Sequence, residues 1–528
     1  MVSTPHSYRA SVLHSLKTWA VALIALGVLW RTVRYLWRFP LWGDEAFVCL
    51  NFLDRGYREL IQPLRFHQVA PLLFLWGEAT VYRWLGGSEL ALRLLPFLAG
   101  LGSLALFWRL AWRSLPPRGA LLATGILAIA YYPVRHSCEA KPYAFDLLMA
   151  LAILVPALSW LQEPYRWRWL LILTLLTPVA LGLSYPAVLI AAAVSLVLLP
   201  AVWRQPGWAR KSLFVAYVLL LSVSFLVYYG LAGLGQHASM DKDYWKESFP
   251  PAQPVALLIW LWHIHTGNLF AYPIGSHHGG STLTFLLCLV GVWHLGRDRS
   301  WQLLAVSLLP FGLTMVAAAL HRYPYGGSAR VAQHLAPVIC LLAGTGLAAL
   351  IERIPSFRSR RHALFATCGC LAFVGACGLL RDFLKPYKTD DHRLVRQVID
   401  DVLRRSANDD QVVIMDSIAS TGPTFEWYLR QAGDRICWNG QIDWQRLSLR
   451  GGHLWCVYFD RGHAARDRFL GPDKAELPLT LAAYRELELH LGTAEGKPEY
   501  CAVQHWVCEA GILRPDGNGP DQLTSPTR

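Results

Sequence analysis

Hydrophobic residues in this chain come in long unbroken blocks, too long for strands and without the polar stripe of a surface helix. Charge-poor runs lie at roughly 18–37, 89–112, 118–135, 141–161, 167–183, 185–203, 212–234, 281–296, 300–320, 331–351 and 362–380. A bilayer core needs ~20 apolar residues per helix, so eleven transmembrane helices are predicted. The stretch from Trp169 to Trp203 would be ~52 Å long as one helix at ~1.5 Å per residue. It is predicted to fold back at Gly182-Leu183-Ser184-Tyr185-Pro186, where glycine and proline interrupt the helix. Two more apolar segments carry polar residues: 68–86 with Glu78 and Arg83, and 254–272 with His263 and His265. After Arg381 the pattern changes to short elements: a helix over 394–404, a strand over 411–415, a helix over 424–431, a strand over 454–459, further helix near 476–491 and a strand near 500–507. The predicted fold class is a polytopic α-helical membrane protein with a small C-terminal α/β domain. The division is 1–380 for the membrane part and 381–528 for the second domain.

Composition agrees: 54% of the 528 residues are hydrophobic and 16% charged, against ~25% charged in a soluble domain. Soluble, fibrous and disordered classes are excluded. The net charge of +13 does not indicate nucleic acid, because the basic residues gather in short loops between apolar runs. With the N-terminus inside and the two polar-bearing segments left non-spanning, the inner loops hold Arg113, Arg118, Arg166, Arg168, Arg204, Arg210, Lys211, Arg297, Arg299, Arg353, Arg358, Arg360 and Arg361. If 68–86 spanned alone, these clusters would face outward, against the positive-inside rule. Segments 68–86 and 254–272 are therefore expected as juxtamembrane or re-entrant helices on the outer face, where the C-terminal domain is also expected. Arg31, Arg34, Arg38, Arg55, Arg58 and Arg65 break the rule in the first outer loop, which implies an anionic partner there. No removable signal peptide is read at the N-terminus. Of the eleven cysteines, Cys437, Cys456, Cys501 and Cys508 lie in the polar region, where one or two disulfides would form in an oxidising compartment.

The polar residues worth testing collect on that outer face. The first loop reads Trp42-Gly43-Asp44-Glu45, two adjacent carboxylates just past a span. They suit proton acceptance or cation binding, or Asp44 caps the following helix. The second loop, Tyr131 to Tyr143, contains Arg135, His136, Glu139 and Lys141. Asp146 stands just inside the next span, at a depth where an acid faces a cavity or a partner. His67, His263, His265, His277, His278 and the His321-Arg322-Tyr323-Pro324 turn complete the set. The histidines do not have the spacing of a closed metal motif. Arg322 and Lys141 suit a phosphate.

The order of Trp42-Gly43-Asp44-Glu45, His67-x-x-x-Pro71-Leu72, Arg93-Leu-Leu-Pro96, Glu139-Ala-Lys-Pro-Tyr143 and Arg322-Tyr323-Pro324 resembles the GT-C fold glycosyltransferases. Within them it looks most like the bacterial relatives of protein O-mannosyltransferases and of the lipid A aminoarabinose transferases, over roughly 15–380. The resemblance implies an inverting transferase of a bacterial plasma membrane, multi-pass with a cytoplasmic N-terminus. Such an enzyme moves a sugar from a polyprenyl-phosphate donor to a hydroxyl of a lipid, glycan or protein acceptor outside. It puts the catalytic base on Asp44, with Glu45 beside it, and an acceptor- or metal-orienting acid on Glu139. Donor phosphate binding falls on Arg38, Arg135, Lys141, Arg322 and Tyr323. His67, His136, His263 and His265 are the acceptor or metal candidates; no cofactor is assigned, and a divalent metal stays open. Two positions depart from the family pattern: His67-Gln-Val-Ala-Pro71 replaces a usual His-Pro-Pro, and Lys141 stands where many relatives have Arg. The rival reading is a lipid or lipid-linked sugar transporter, which would place functional charges at the bilayer midplane and break helices in paired halves; neither pattern is visible.

Overall fold

The computed structural model describes residues 5–239, 244–275 and 279–385. Beyond them it describes scattered helical positions within 396–404 and the segments 411–416, 422–430, 436–438, 453–460, 479–483, 489–492 and 498–508. The chain divides into two compact units: Met1–Arg38 with Arg55–Leu384, and Phe39–Asp54 with Lys385–Arg528.

In the first unit every predicted apolar run is helical. Seven described helices are long and apolar enough to cross a membrane: Leu13–Leu36, Leu94–Ser114, Tyr143–Gln162, Trp208–Ala238, Trp301–Ala319, Ala329–Glu352 and Phe357–Leu384. Gly280–Arg297 and the shorter Trp167–Leu183, Ala187–Trp203 and Pro117–Ala128 account for the other runs. The fold-back falls at Ser184, whose extended backbone ends one helix before Ala187 begins the next. The run 118–135 does not stay one helix; it stops at Ala128, and a separate turn, Tyr131–His136, starts the second loop. Leu72–Leu85 and Pro254–Thr266 have 14 and 13 residues, ~20 Å at ~1.5 Å per residue, too short to cross a ~30 Å core.

Two spans form the centre of the bundle: 89% of the apolar window is buried in both Tyr143–Gln162 and Ala329–Glu352, against 22–28% in four of the others. Small residues permit this packing, as between membrane helices generally. A Cβ on Gly346 would overlap the Leu287 carbonyl, and one on Gly291 the Leu342 carbonyl. With lipid on the outside, such backbone approach supplies the van der Waals contact that the hydrophobic effect cannot.

Two arginines assigned to the first outer loop lie elsewhere. Arg31 and Arg34 belong to the first helix and are 1% and 5% exposed. Arg31 Nη1 donates to the carbonyls of Gly27 and Ala128, at 3.0 and 2.8 Å. Arg34 Nη1 lies 2.8 Å from Asp382 Oδ2, which also accepts from Trp30 Nε1 at 2.8 Å. Arg34 thus finds its anion in a side chain of the last span, whereas Arg31 is held by backbone carbonyls. The sequence pattern missed it because a buried ion pair between helices leaves no trace in loop charge counts.

The second unit contains a six-stranded sheet: β1 Gln411–Asp416, β2 Ile436–Trp438, β3 His453–Asp460, β4 Leu479–Ala483, β5 Leu489–Gly492 and β6 Pro498–Cys508. The order is β2-β1-β3-β6-β4, with β5 also on β6. β1 runs parallel to β2 and β3, whereas β6 is antiparallel to β3, β4 and β5. Helix Gly422–Arg430 follows β1. The helix expected near 476–491 is replaced by β4 and β5. Its Ala, Leu and Glu are helix formers, but Leu487, Leu489 and Leu491 alternate with Glu488 and His490, and period two wins when a partner strand is available. Most of the predicted helix 394–404, and the side chains of the four polar-region cysteines, lie outside the described residues.

Candidate functional site

The candidate residues fall into two groups. In the second unit, Trp42 precedes helix Gly43–Asp54 and its carbonyl accepts the first helical bond, from Ala46 N–H at 3.0 Å. Glu45 is fully buried, and its Oε2 accepts from the Trp42 N–H at 3.2 Å. This is the return half of a capping box, in which the third helical residue reaches back to the cap. The two adjacent carboxylates therefore separate by role. Glu45 builds the helix start, and half-buried Asp44 stands in the first turn, where the positive end of the helix dipole favours an anion.

In the first unit the second loop forms a buried charged cluster. Glu139 is 1% exposed; its Oε1 accepts from Arg135 Nε at 2.6 Å, and its Oε2 lies 2.8 Å from His136 Nδ1. Burial alone would raise the Glu139 carboxyl, but Arg135 and then His136 outweigh it and hold the group well below the usual carboxylate range. Burial likewise pushes His136 down, against the pull of Glu139. The consistent state is a charged Arg135, an ionised Glu139 and a neutral His136 that carries its proton on Nδ1, since a carboxylate can only accept. His136 stacks on Tyr132 with ring centres 5.9 Å apart and meets Tyr143 edge-on at 5.1 Å. An ionised carboxylate with both oxygens engaged is a weak proton acceptor; this geometry suits orienting its neighbours.

Lys141, 3% exposed, donates to Gln68 Oε1 at 2.6 Å. The loop it reaches is bent: Phe66 and His67 take φ of 60° and 54°, the left-handed region that costs energy outside glycine. Ala70 fixes the exit from this bend. Its N–H donates to Gln236 Oε1 at 3.0 Å, and its carbonyl accepts from Gln236 Nε2 and the Tyr185 hydroxyl, both at 3.1 Å. Gln236 and Tyr185 were not among the sequence candidates. A lone polar residue after an apolar run carries no mark of a partner 166 positions away. Gln236→Ala leaves the buried Ala70 N–H without this acceptor and is expected to cost about 1–3 kcal/mol, read as a lower thermal midpoint of the solubilised protein.

The other candidates belong to separate helices and loops. Tyr323 donates its hydroxyl proton to the Val331 carbonyl at 2.7 Å. Exposed Arg322 reaches the Tyr229 hydroxyl at 3.3 Å. His265 Nδ1 lies 2.7 Å from the Leu261 carbonyl and so carries the hydrogen, which leaves Nε2 to accept from the Tyr325 hydroxyl at 3.1 Å; burial lowers this histidine. His67, His263 and Arg38 are exposed. Asp146 accepts from the Ser184 hydroxyl at 2.7 Å and so braces the fold-back. His277 and His278 lie outside the described residues. Among the described residues no three His, Cys, Asp or Glu side chains come together as a metal site.

The apolar helices of the bundle define a polytopic membrane protein. A family model described as dolichyl-phosphate-mannose-protein mannosyltransferase matches residues 69–229. Among solved structures the chain is similar to ArnT from Cupriavidus metallidurans bound to undecaprenyl phosphate, at 13% identity and a TM-score of 0.56, covering 92% of this chain and 98% of that one. The apo state of the same protein matches at 13% identity and 0.55, over 93% and 98%. The archaeal oligosaccharyltransferase AglB from Archaeoglobus fulgidus, in complex with an inhibitory peptide and a dolichol-phosphate, has a TM-score of 0.44 at 12% identity, over 78% of this chain and 63% of that one. No curated protein matches the sequence. The architecture is that of the GT-C membrane glycosyltransferases, as the motif order implied.

Proposed function

We propose that the protein is an inverting glycosyltransferase that moves a sugar from a polyprenyl-phosphate carrier to a hydroxyl of a lipid, glycan or protein acceptor on the outer face of a bacterial plasma membrane. The observation that carries the reading is the joint one: the family model over 69–229 and a fold shared along nearly the whole length of a protein bound to undecaprenyl phosphate. In the reaction Asp44 accepts the acceptor hydroxyl's proton as its oxygen attacks the anomeric carbon. The bond to the carrier phosphate breaks, and the leaving phosphate is stabilised by cationic groups, for which Lys141, Arg322, Arg38 and Arg135 are the candidates. Of these, Arg135 is paired with Glu139. Glu139 serves as an orienting anion, and Tyr323, His67, His136, His263 and His265 shape the surroundings.

The test is transfer by the purified protein in lipid, offered a panel of radiolabelled polyprenyl-phosphate sugars and membrane extract. Label entering an extract component supports the reading and names the sugar. Donor that only changes leaflet, with no transfer from any sugar, overturns it in favour of a transporter.

A further inference from the structure

Residues Phe39–Asp54, which carry Asp44, group with the C-terminal chain. Helix Gly422–Arg430 packs against helix Gly43–Asp54, and two polar contacts join them at opposite ends. Just before the first-loop helix, the N–H of buried Leu41 donates to the Tyr428 hydroxyl at 2.9 Å. At its last residue, Asp54 takes both arms of the Arg430 guanidinium: Nη1 lies 2.7 Å from Oδ2, and Nη2 bonds Oδ1. Glu426, one turn earlier, holds Nη1 from the other side at 3.5 Å. Phe425 and Trp427 of the same helix are fully buried and anchor it from within.

We propose that Tyr428 and Arg430 are positioning residues for Asp44: the C-terminal domain holds the first-loop helix at both ends and so sets where its carboxylate points. The two anchors are ~18 Å apart along the helix at ~1.5 Å per residue. One contact would leave the helix free to swing; two fix its axis, and the planar bidentate fork at Asp54 also fixes its rotation. The Arg430–Asp54 pair is about one-third exposed on both sides, so it adds little to stability, and its contribution is directional. Asp44 lies three residues from the Leu41 anchor, so a small tilt there moves the carboxylate directly, and displacements near 1 Å can cost ~100-fold in rate.

This inference rests on the transferase reading, and its test separates the two. Arg430→Ala and Tyr428→Phe are each expected to lower kcat about tenfold with the donor KM held within about twofold, since binding is untouched and proton transfer is misaligned. Arg430→Lys, which keeps the charge without the fork, should recover part of the loss. Amide hydrogen exchange over 39–54 should quicken in Arg430→Ala while the membrane spans keep their protection. Unchanged kcat in both variants overturns the proposal. A joint loss of kcat, donor binding and protection along the whole chain also overturns it, because the contact would then only hold the protein folded. If the wild type transfers nothing, the transferase reading falls and the positioning role falls with it, whereas faster exchange confined to 39–54 would still establish the clasp.

Discussion

Asp44→Asn is expected to abolish sugar transfer, by ~100- to 10,000-fold in kcat, the usual worth of a positioned general base, with the fold and donor affinity retained. The side chain keeps its size and loses the basic carboxylate proposed to take the acceptor proton. The neighbouring carboxylate provides the contrast. Glu45 already spends an oxygen on the Trp42 N–H, and in Glu45→Gln the amide oxygen still accepts that bond. Glu45→Gln should therefore keep the helix start and most of the activity. Single-turnover rates with a labelled donor, alongside thermal midpoints of both variants, check the contrast; full activity in Asp44→Asn would remove Asp44 from the chemistry.

The second large effect belongs to Glu139. Glu139→Ala leaves Arg135 without its buried counter-ion, and breaking one side of such a pair costs about 3–5 kcal/mol. Thermal unfolding in detergent should show a loss far beyond that of any surface substitution. The pH dependence has a definite sign. Glu139 is held below its ordinary value of 4.5, so the stability it contributes is complete above 4.5 and is lost as the pH falls toward the folded value. His136 is held below 6.5; its neutral form fits the fold, so its contribution is complete above 6.5 and also fades on acidification. Both groups predict a midpoint that declines from about pH 6.5 downward, and Glu139→Ala removes the part below 4.5 that Glu139 itself contributes while the His136 part remains. A midpoint that rises on acidification would contradict the charge state assigned to the cluster.

Sequence and structure contributed differently. The runs, the fold-back at Ser184 and the two short, non-spanning helices were all legible, because membrane insertion is governed by local hydropathy and helix length, which neighbouring residues set together. Failures occurred where distant partners decide. Residues 476–491 carry helix-forming composition, yet two strands form there because β6 supplies hydrogen bonds. Arg31 and Arg34 read as loop charges, yet they are buried among Gly27, Ala128 and Asp382.

The same division runs through the site. The Trp42-Gly43-Asp44-Glu45 and Glu139-Ala140-Lys141 motifs stand out in the chain because several polar residues crowd between apolar blocks. Nothing local told Asp44 from Glu45; that came from one hydrogen bond to the Trp42 N–H. Gln236 holding Ala70, and Arg430 gripping Asp54 from 376 residues away, are pairings of single polar side chains with no period and no composition. The sequence by itself determined that the protein crosses a membrane and roughly where, and it marked the loops in which polar residues crowd together. Only the tertiary structure decided which carboxylate is a cap, which arginine already has an anion and which part of the chain holds the first-loop helix, because a hydrogen bond depends on where two atoms meet in space.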